Sequence, residues 1–195
     1  YPVDGGLMDI RLGVIDPGLR CKTCGSKLKE CIGHFGYIDL ARPIVHVKFI
    51  NIIMTLLKCT CRECGRILIP ENKIGKIRES LEQVEKESGV EERRQKIKDI
   101  IAALKTVNKC PHCNTKQKKI SLEKPTTFLE EDKRLSPIDV RARLERISDS
   151  DCDIFGLKVP YVRPEWMVLT ILPIPPVTMR PSITLESGER SEDDL

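Results

Sequence analysis

The sequence lacks a long apolar run, a marked excess of charge of either sign, and a secretory leader pattern. Its most apolar stretch, residues 44–57, is interrupted by polar side chains and is shorter than the ~20 residues that a membrane-spanning helix needs. Lysine and arginine number 33 against 29 aspartates and glutamates, for a net charge of +4. That excess is too small to predict nucleic-acid binding by itself. Tyr1 begins no signal-peptide pattern, and both ends of the sequence predict a piece excised from a longer chain.

Histidine is also scarce, whereas cysteine is abundant. The chain has three histidines and nine cysteines. Because nine is an odd number and no leader pattern is present, a secreted disulfide framework is disfavoured. The thiols are therefore expected to be reduced, as in a cytosolic or nuclear protein.

Eight of the cysteine and histidine residues form four pairs with two residues between the partners: Cys21 and Cys24, Cys31 and His34, Cys61 and Cys64, Cys110 and Cys113. A tetrahedral zinc needs four such ligands, and a pair spaced i, i+3 around a tight turn supplies two of them from one backbone. The first two pairs predict a compact site within one short loop. The last two pairs predict a second site whose halves are split by the intervening sequence. With four protein ligands each, both zinc ions are expected to be structural.

Two cysteines fall outside this scheme. Cys59 precedes Cys61 by two residues and could replace it in the split site, although the two-residue spacing and the following glycine favour Cys61. Cys152 lies in an acidic turn and is expected to be an ordinary thiol. Gly25 and Gly65 directly follow their cysteine pairs, where the backbone must enter left-handed conformations, and Asn114 occupies the same place after Cys113.

Hydrophobic periodicity predicts an α+β fold with a helical hairpin and short antiparallel strands. The expected strands lie near residues 38–47, 116–122 and 167–172, and the expected helices at 49–58, in two segments of 71–108 broken at Ser88 and Gly89, and at 137–147. Ser136 is the predicted N-cap of the last helix, which the acidic run 148–151 should end. The prolines of 173–176 are expected to hold the chain extended and to deny it a sheet partner. The lysines of 116–119 are interpreted as solvated surface, with contact to a phosphate as the alternative.

Several segments, taken in order, resemble a known family. They are Cys-Lys-Thr-Cys at 21–24, Cys-Ile-Gly-His-Phe-Gly at 31–36, Leu-Ala-Arg-Pro at 40–43, Arg-Pro-Glu-Trp-Met at 163–167, Leu-Pro-Ile-Pro-Pro at 172–176, Arg-Pro-Ser-Ile at 180–183 and Glu-Asp-Asp-Leu at 192–195. Together they resemble the N-terminal clamp region of the largest subunit of multisubunit RNA polymerase. The archaeal A-prime form of that subunit is the most similar. The family usually has proline where this chain has Ile32.

The resemblance implies a division into four parts and a role in transcription. The parts are the first zinc loop and the start of the clamp core at 1–60, the clamp head with the split zinc site and hairpin at 61–115, core strands and a helix at 116–181, and a lid-like loop at 182–195. The clamp holds DNA and the RNA–DNA hybrid in the cleft. Implied partners are other polymerase subunits, elongation factors of the NusG class and initiation factors, in the archaeal cytoplasm at the nucleoid or in a eukaryotic nucleus.

The resemblance also implies an enzyme, a nucleotidyltransferase, of which this fragment is a non-catalytic part. The family holds its Mg²⁺ through three aspartates in an Asn-Ala-Asp-Phe-Asp-Gly-Asp string, which the sequence does not contain. The acidic residues 192–194 are interpreted as a charged helix start and not as a magnesium cage. Arg180, just before the lid-like loop, and Arg190, within it, are candidates for contacts with nucleic-acid phosphates. Anchoring of the loop is the alternative role for Arg180.

Two other functions fit parts of the sequence. A free zinc-ribbon adaptor, which binds nucleic acid or protein outside a polymerase, would explain the metal ligands but not the segments at 163–167 and 180–183. A zinc hydrolase needs an open water position and a general base. Four ligands per site and only three histidines in the chain disfavour it. His46 is assigned to packing. His112 is assigned to the interior of a knuckle, the tight turn between two paired ligands, here Cys110 and Cys113.

Overall fold

The computed structural model describes residues 2–180 and 182–191, and it confirms a mixed α+β fold. The helices of that part of the chain are α1 (Ile50–Cys59), α2 (Glu71–Ser88), α3 (Val90–Leu104), α4 (Pro137–Glu145) and α5 (Asp149–Ile154). The strands are β1 (Gly36–Val45), β2 (Ile120–Glu123), β3 (Thr127–Glu130), β4 (Lys133–Leu135), β5 (Val168–Ile174), β6 (Ile183–Thr184) and β7 (Arg190–Ser191). No helix in these ranges has both the length and the apolar character needed to cross a bilayer.

The chain divides into two compact units. The first combines residues 1–41 with 170–195, and the second is the continuous segment 42–169. Strands β2, β3 and β4 of the second unit form an antiparallel sheet, in which Ser121 is opposite Leu129 and Leu129 is opposite Arg134. Strands β6 and β7 of the first unit form a short antiparallel pair, and β1 pairs with β5. Strands β1, β2 and β5 lie where strands were predicted, and antiparallel pairing is present, whereas β3, β4, β6 and β7 were not predicted.

The second unit has two apolar clusters. One brings the inner face of α1 together with the three-stranded sheet and α4; its fully buried members include Ile53, Phe128 and Val140. The other surrounds the split cysteine pairs with apolar residues of α2 and α3, among them Leu81 and Ile97. Burial of apolar area at ~25 cal/mol per Å² is the main stabilising contribution in both clusters. The split group of cysteines is thus built against a hydrophobic core.

The helical hairpin lies where the sequence predicts it. Helices α2 and α3 are separated by Gly89, whose φ of +95° is readily adopted by glycine. The N-terminal cap of α4 is also confirmed. Ser136 Oγ accepts a bond of 3.1 Å from the Asp139 N–H, and the Asp139 carboxylate accepts one of 3.1 Å from the Ser136 N–H. The Ser136 hydroxyl also donates to the Asp139 carboxylate at 2.7 Å, and this bond, followed by the one from the Ser136 N–H, lowers the pKa of Asp139.

Two local predictions are incomplete. The acidic run 148–151 does follow the end of α4, but it also begins α5, because Ser148 Oγ accepts the Asp151 N–H at 3.2 Å and acts as an N-cap. Cys152 therefore lies in a helix and not in a turn. The proline-rich segment was expected to have no sheet partner, yet β5 pairs with β1 and includes Pro173. Each strand of a two-stranded sheet has a free edge, where a residue without an N–H is tolerated.

Candidate metal centres

The first two predicted pairs come together in the first unit. The ligand atoms of Cys21, Cys24, Cys31 and His34 all lie within 4.8 Å of one another. The sulfur of Cys31 is 3.6 Å from that of Cys24 and 3.7 Å from His34 Nε2. A Zn–S bond of about 2.3 Å and tetrahedral angles give a sulfur–sulfur separation of about 3.8 Å. The compact group therefore has the size of a tetrahedral metal site.

The last two pairs come together in the second unit, although 45 residues separate them in sequence. The sulfurs of Cys61, Cys64, Cys110 and Cys113 also lie within 4.8 Å of one another. Cys61 is 3.4 Å from Cys113, and Cys64 is 3.8 Å from Cys110. The hairpin of α2 and α3 returns the chain to its starting point and so places the fourth pair beside the third. Both groups could hold a metal ion.

The three Cys-x-x-Cys segments share one backbone hydrogen-bond pattern. In each, the residue after the second cysteine donates its N–H to the carbonyl of the first cysteine: Gly25 to Cys21 at 2.8 Å, Gly65 to Cys61 at 3.1 Å and Asn114 to Cys110 at 3.0 Å. In each, a further amide points at the first sulfur from 3.4 Å: Thr23 to Cys21, Glu63 to Cys61 and His112 to Cys110. The motif turns the backbone around the sulfur and directs N–H groups at it. Such bonds favour the thiolate, which is the form that binds metal.

The residue after each pair has the predicted left-handed conformation. The φ angles are +73° at Gly25, +73° at Gly65 and +60° at Asn114. Asparagine adopts this region more readily than other residues with a Cβ, which explains its presence in the third knuckle. This prediction depended only on local sequence, and the structure confirms it.

The Cys31–His34 pair is held differently. The His34 N–H donates to the Leu12 carbonyl at 3.1 Å. Gly33, between the two ligands, has a φ of +87°, and a Cβ built on it would lie 2.5 Å from Pro176 Cβ and 2.6 Å from Thr178 Oγ1. The proline-rich segment therefore packs directly against the compact group. This contact gives Pro176 a structural role that the sequence does not reveal.

Burial and hydrogen bonding shift the pKa values of the thiols in the split group in opposite directions. Burial raises the pKa of Cys64 to about 12, whereas hydrogen bonds from Thr115 lower the pKa of Cys113 to about 6. In the compact group, the hydrogen bond with His34, followed by those with Ser26, lowers the pKa of Cys24 to about 6. A bound cation would favour the thiolate form of all these sulfurs and would offset the cost of ionising the buried ones.

The remaining two cysteines lie outside both groups. Cys59 packs in the hairpin core, where its thiol lies 3.8 Å from the Ile101 carbonyl and burial raises its pKa to about 11. Burial likewise raises the pKa of Cys152 to about 11. Cys61, and not Cys59, is the residue that gathers with Cys64. The split group thus uses the two-residue spacing that the sequence favours.

The other two histidines occupy the structural positions assigned to them. His46 Nδ1 accepts the Lys48 N–H at 3.2 Å, and its ring lies 4.8 Å from that of Phe49. His112 is inside the second knuckle of the split group, with Nε2 3.0 Å from the Ile67 carbonyl. Neither ring belongs to a metal-binding group among the described residues.

Two supports of the split group were missed by sequence reasoning. Asp151 of α5 is fully buried; its carboxylate accepts bonds of 2.9 Å from Arg66 Nε and 3.1 Å from the Ile67 N–H. Glu130 of β3 is also buried and lies 2.9 Å from Arg143 and 3.7 Å from Arg62. Both carboxylates link residues in or beside the Cys61 knuckle to distant parts of the second unit. Because the partners are far apart in sequence, no local pattern marks them.

The two arginines proposed to contact phosphates are placed differently. Arg180 is 6% exposed; its guanidinium donates to the Pro175 carbonyl at 3.0 Å and also to the Leu7 carbonyl. These contacts favour the anchoring alternative, and a phosphate contact by Arg180 stays a prediction. Arg190 is in β7 opposite Thr184, and its backbone alone is described. The acidic residues 192–194 lie outside the described residues, so the predicted helix start is not tested.

The chain matches known proteins along its whole length. The family described as RNA polymerase Rpb1, domain 1, matches residues 1–195. A protein of Methanothermobacter thermautotrophicus named DNA-directed RNA polymerase subunit Rpo1N is 56% identical over 100% of this chain. Proteins of the same name from Methanocaldococcus jannaschii and Sulfolobus acidocaldarius are 52% and 46% identical, again over 100% of the chain. The chain belongs to the RNA polymerase Rpb1 domain 1 family. It spans 22%, 15% and 22% of the length of these three relatives.

Proposed function

We propose that the chain is the clamp part of the largest subunit of a DNA-directed RNA polymerase. In that role it holds DNA and the RNA–DNA hybrid in the active-centre cleft while the polymerase, a nucleotidyltransferase, synthesises RNA. The observation that carries the proposal is the match to one family along the whole chain, including relatives named as polymerase subunits. The fragment itself contributes no catalytic residue.

Both four-ligand groups are proposed to hold zinc. Cys21, Cys24, Cys31 and His34 would bind one ion, and Cys61, Cys64, Cys110 and Cys113 the other. Sulfur-rich donor sets of this size suit zinc, and the left-handed residues and inward N–H groups are compatible with bound thiolates. When bound, zinc would cross-link the segments of each site. Such cross-links are most valuable in the first unit, where residues 2–35 contain no helix or strand among those described.

Four protein ligands per group support a structural and not a hydrolytic role. A catalytic zinc keeps a position for water, and the fourth protein ligand would occupy it. The sequence also lacks the three-aspartate string that the family uses for Mg²⁺. We therefore assign Mg²⁺ binding to the rest of the polymerase. Movement of the clamp would change how tightly nucleic acid is held without changing the chemistry.

The lid-like loop is proposed to lie near the upstream edge of the RNA–DNA hybrid. Residues 183–184 and 190–191 form an antiparallel pair, so the intervening residues form the tip of a small hairpin. A hairpin can place an arginine beside a backbone phosphate without reading bases. Arg190 is the proposed contact. Arg180, given its bonds to backbone carbonyls, is better suited to hold the base of the loop in place.

The division into a zinc loop (1–60), clamp head (61–115), core (116–181) and lid (182–195) is retained as a functional proposal. Proposed partners are the other polymerase subunits, the DNA template, elongation factors of the NusG class and initiation factors. Since the matched relatives named above are archaeal, we place the assembly in the archaeal cytoplasm, at the nucleoid.

The proposal is tested by tagging the native gene product and purifying what accompanies it. We expect large partner subunits and template-dependent incorporation of ribonucleotides, with zinc in the purified chain. A monomeric zinc protein with no polymerase partners and no RNA synthesis would overturn the proposal. It would favour the free zinc-ribbon adaptor instead.

A further inference from the structure

Gln117 lies four residues after Cys113, the last ligand of the split group, and its side-chain amide touches both halves of that group. Its Oε1 accepts the N–H of Arg62, which is inside the Cys61 knuckle, at 3.1 Å. Its Nε2 donates to the carbonyl of Thr115, two residues after Cys113, at 2.9 Å. The same Nε2 lies 3.4 Å from Cys61 Sγ. One amide group therefore connects two knuckles and one sulfur ligand.

We propose that Gln117 is a positioning residue for the split site: it joins the two knuckles and donates a hydrogen bond to the Cys61 thiolate, and both contacts raise the affinity for zinc. The inference rests on the proposed zinc in this group. It concerns the split site alone, because the contacts of Gln117 reach Arg62, Thr115 and Cys61 and none of the compact ligands.

The two halves of the split site are far apart in the sequence. The sequence between the halves includes the whole hairpin of α2 and α3, whereas only residues 25–30 separate the two pairs of the compact site. Bringing distant halves together costs more chain entropy than closing a short loop. The Gln117 amide makes a direct link between the halves that does not depend on a metal. Its own backbone is fixed, since the Gln117 N–H donates to the Asn108 carbonyl at 2.8 Å.

The charge of the zinc-loaded split site also favours a donor at Gln117. Four thiolates around one Zn²⁺ have a net charge of −2, so N–H and O–H donors to sulfur stabilise the loaded site. The backbone amides of Glu63 and His112 donate to Cys61 and Cys110. The Thr115 hydroxyl lies 3.2 Å from Cys113 Sγ. Among the described residues, Gln117 provides the side-chain amide that reaches a sulfur of this group. Outer-shell donors of this kind typically change metal affinity by about 10–100-fold.

The test measures the zinc affinity of each site by competition with a chelator, in the full 195-residue chain. Gln117→Ala should weaken one of the two sites by roughly 10-fold or more and leave the other unchanged. Gln117→Glu should weaken the same site at least as much, because the carboxylate keeps an acceptor for Arg62 but loses the donor and adds negative charge beside Cys61. The matched control is Gln95→Ala, which removes an exposed amide bonded to Asp99 on α3. It should leave both affinities unchanged.

Replacement of zinc by cobalt provides a spectrum that would not change if Gln117 had a purely structural role. The sulfur-to-cobalt absorption of the four-cysteine site should shift in Gln117→Ala and stay constant in Gln95→Ala. If Gln117→Ala lowers the free energy of unfolding but changes neither zinc affinity nor this spectrum, Gln117 only packs and the inference is overturned. If the unaltered chain binds fewer than two zinc ions, the proposed metal role itself fails. The two failures are thus distinguished by the stoichiometry of the unaltered chain.

Discussion

Gly65 and Arg146 are in such close contact that a Cβ atom built on Gly65 would lie 2.5 Å from both the Cβ and the carbonyl oxygen of Arg146. Gly25 occupies the same place in the compact group with the same φ of +73°, but it has open space around it. The two knuckles are therefore alike in backbone and different in surroundings. Substitution of Gly25 therefore reports the strain of a left-handed backbone alone, whereas substitution of Gly65 reports that strain together with a steric clash.

The first prediction compares alanine at these two glycines. Gly25→Ala should lower the free energy of unfolding by about 1 kcal/mol, the typical cost of placing a Cβ in the left-handed region. Gly65→Ala should lower it by about 3 kcal/mol or more, because overpacking against Arg146 adds to that strain. Denaturant titration with saturating zinc measures both values. Equal losses at the two positions would contradict the role of the contact with Arg146.

The second prediction concerns Cys59 and Cys61. Cys61→Ala should reduce the zinc content of the chain from two equivalents to one, because three ligands and a distant fourth thiol cannot close the site. Cys59→Ala should retain two equivalents, since Cys59 packs in the hairpin core. Metal analysis of the purified variants gives the answer. If Cys59→Ala loses one zinc and Cys61→Ala retains both, then Cys59 is the ligand and this prediction is wrong.

The third prediction concerns the buried carboxylate of Asp151. Asp151→Asn should lower the free energy of unfolding by about 2–3 kcal/mol, because the charged hydrogen bond with Arg66 is lost in a buried setting. The matched control is Asp149→Asn in the same helix, where the side chain is exposed and pairs with Arg163. That change should cost less than about 1 kcal/mol. A loss at Asp149 as large as that at Asp151 would contradict the importance of burial.

The fourth prediction is a pH dependence that arises at Asp9. Hydrogen bonds from the Arg11 side chain, the Arg11 N–H and the Gly5 N–H hold the pKa of this carboxyl well below its ordinary range. The unfolded chain therefore takes up the proton first, at about pH 3.9. The stabilisation by Asp9 is fully present above that pH and is lost progressively as the pH falls below it.

The measurement compares the free energy of unfolding between pH 5 and pH 3. The unaltered chain should lose more stability over this interval than Asp9→Asn does. The control Asp16→Asn should follow the unaltered chain, because Asp16 makes no side-chain hydrogen bond among the described contacts. Identical slopes for the unaltered chain and Asp9→Asn would refute this prediction.

The fifth prediction separates the two arginines near the lid-like loop in the assembled polymerase. Arg190→Ala should speed dissociation of elongation complexes and reduce the salt dependence of that rate, as expected for one lost phosphate contact. Arg180→Ala should instead destabilise the first unit, because its guanidinium bonds to the carbonyls of Pro175 and Leu7. An unchanged dissociation rate for Arg190→Ala across a salt series would remove Arg190 from the proposed interface.

The parts of the fold that were predicted correctly depend on contacts within a few residues. The pairing of Cys21 with Cys24, the left-handed Gly65 and the Ser136 cap each follow from local backbone geometry. The hairpin was also predictable, because apolar residues recur along α2 and α3 with helical periodicity. The start of α5 was not predicted, because the local sequence there is ambiguous. Ser148 and Asp149 occur in turns and at helix starts alike, and only the structure places them at the start of α5.

The sequence by itself determined which residues can serve as metal ligands and how each pair is presented, because two ligands spaced i, i+3 are fixed by one tight turn. The tertiary structure decided which pairs meet and what supports them. Asp151 reaches Arg66 across 84 intervening residues, and Gln117 joins two knuckles separated by a helical hairpin. Such contacts depend on how the core clusters pack. Packing is a property of the whole chain and leaves no periodic or local mark in the sequence.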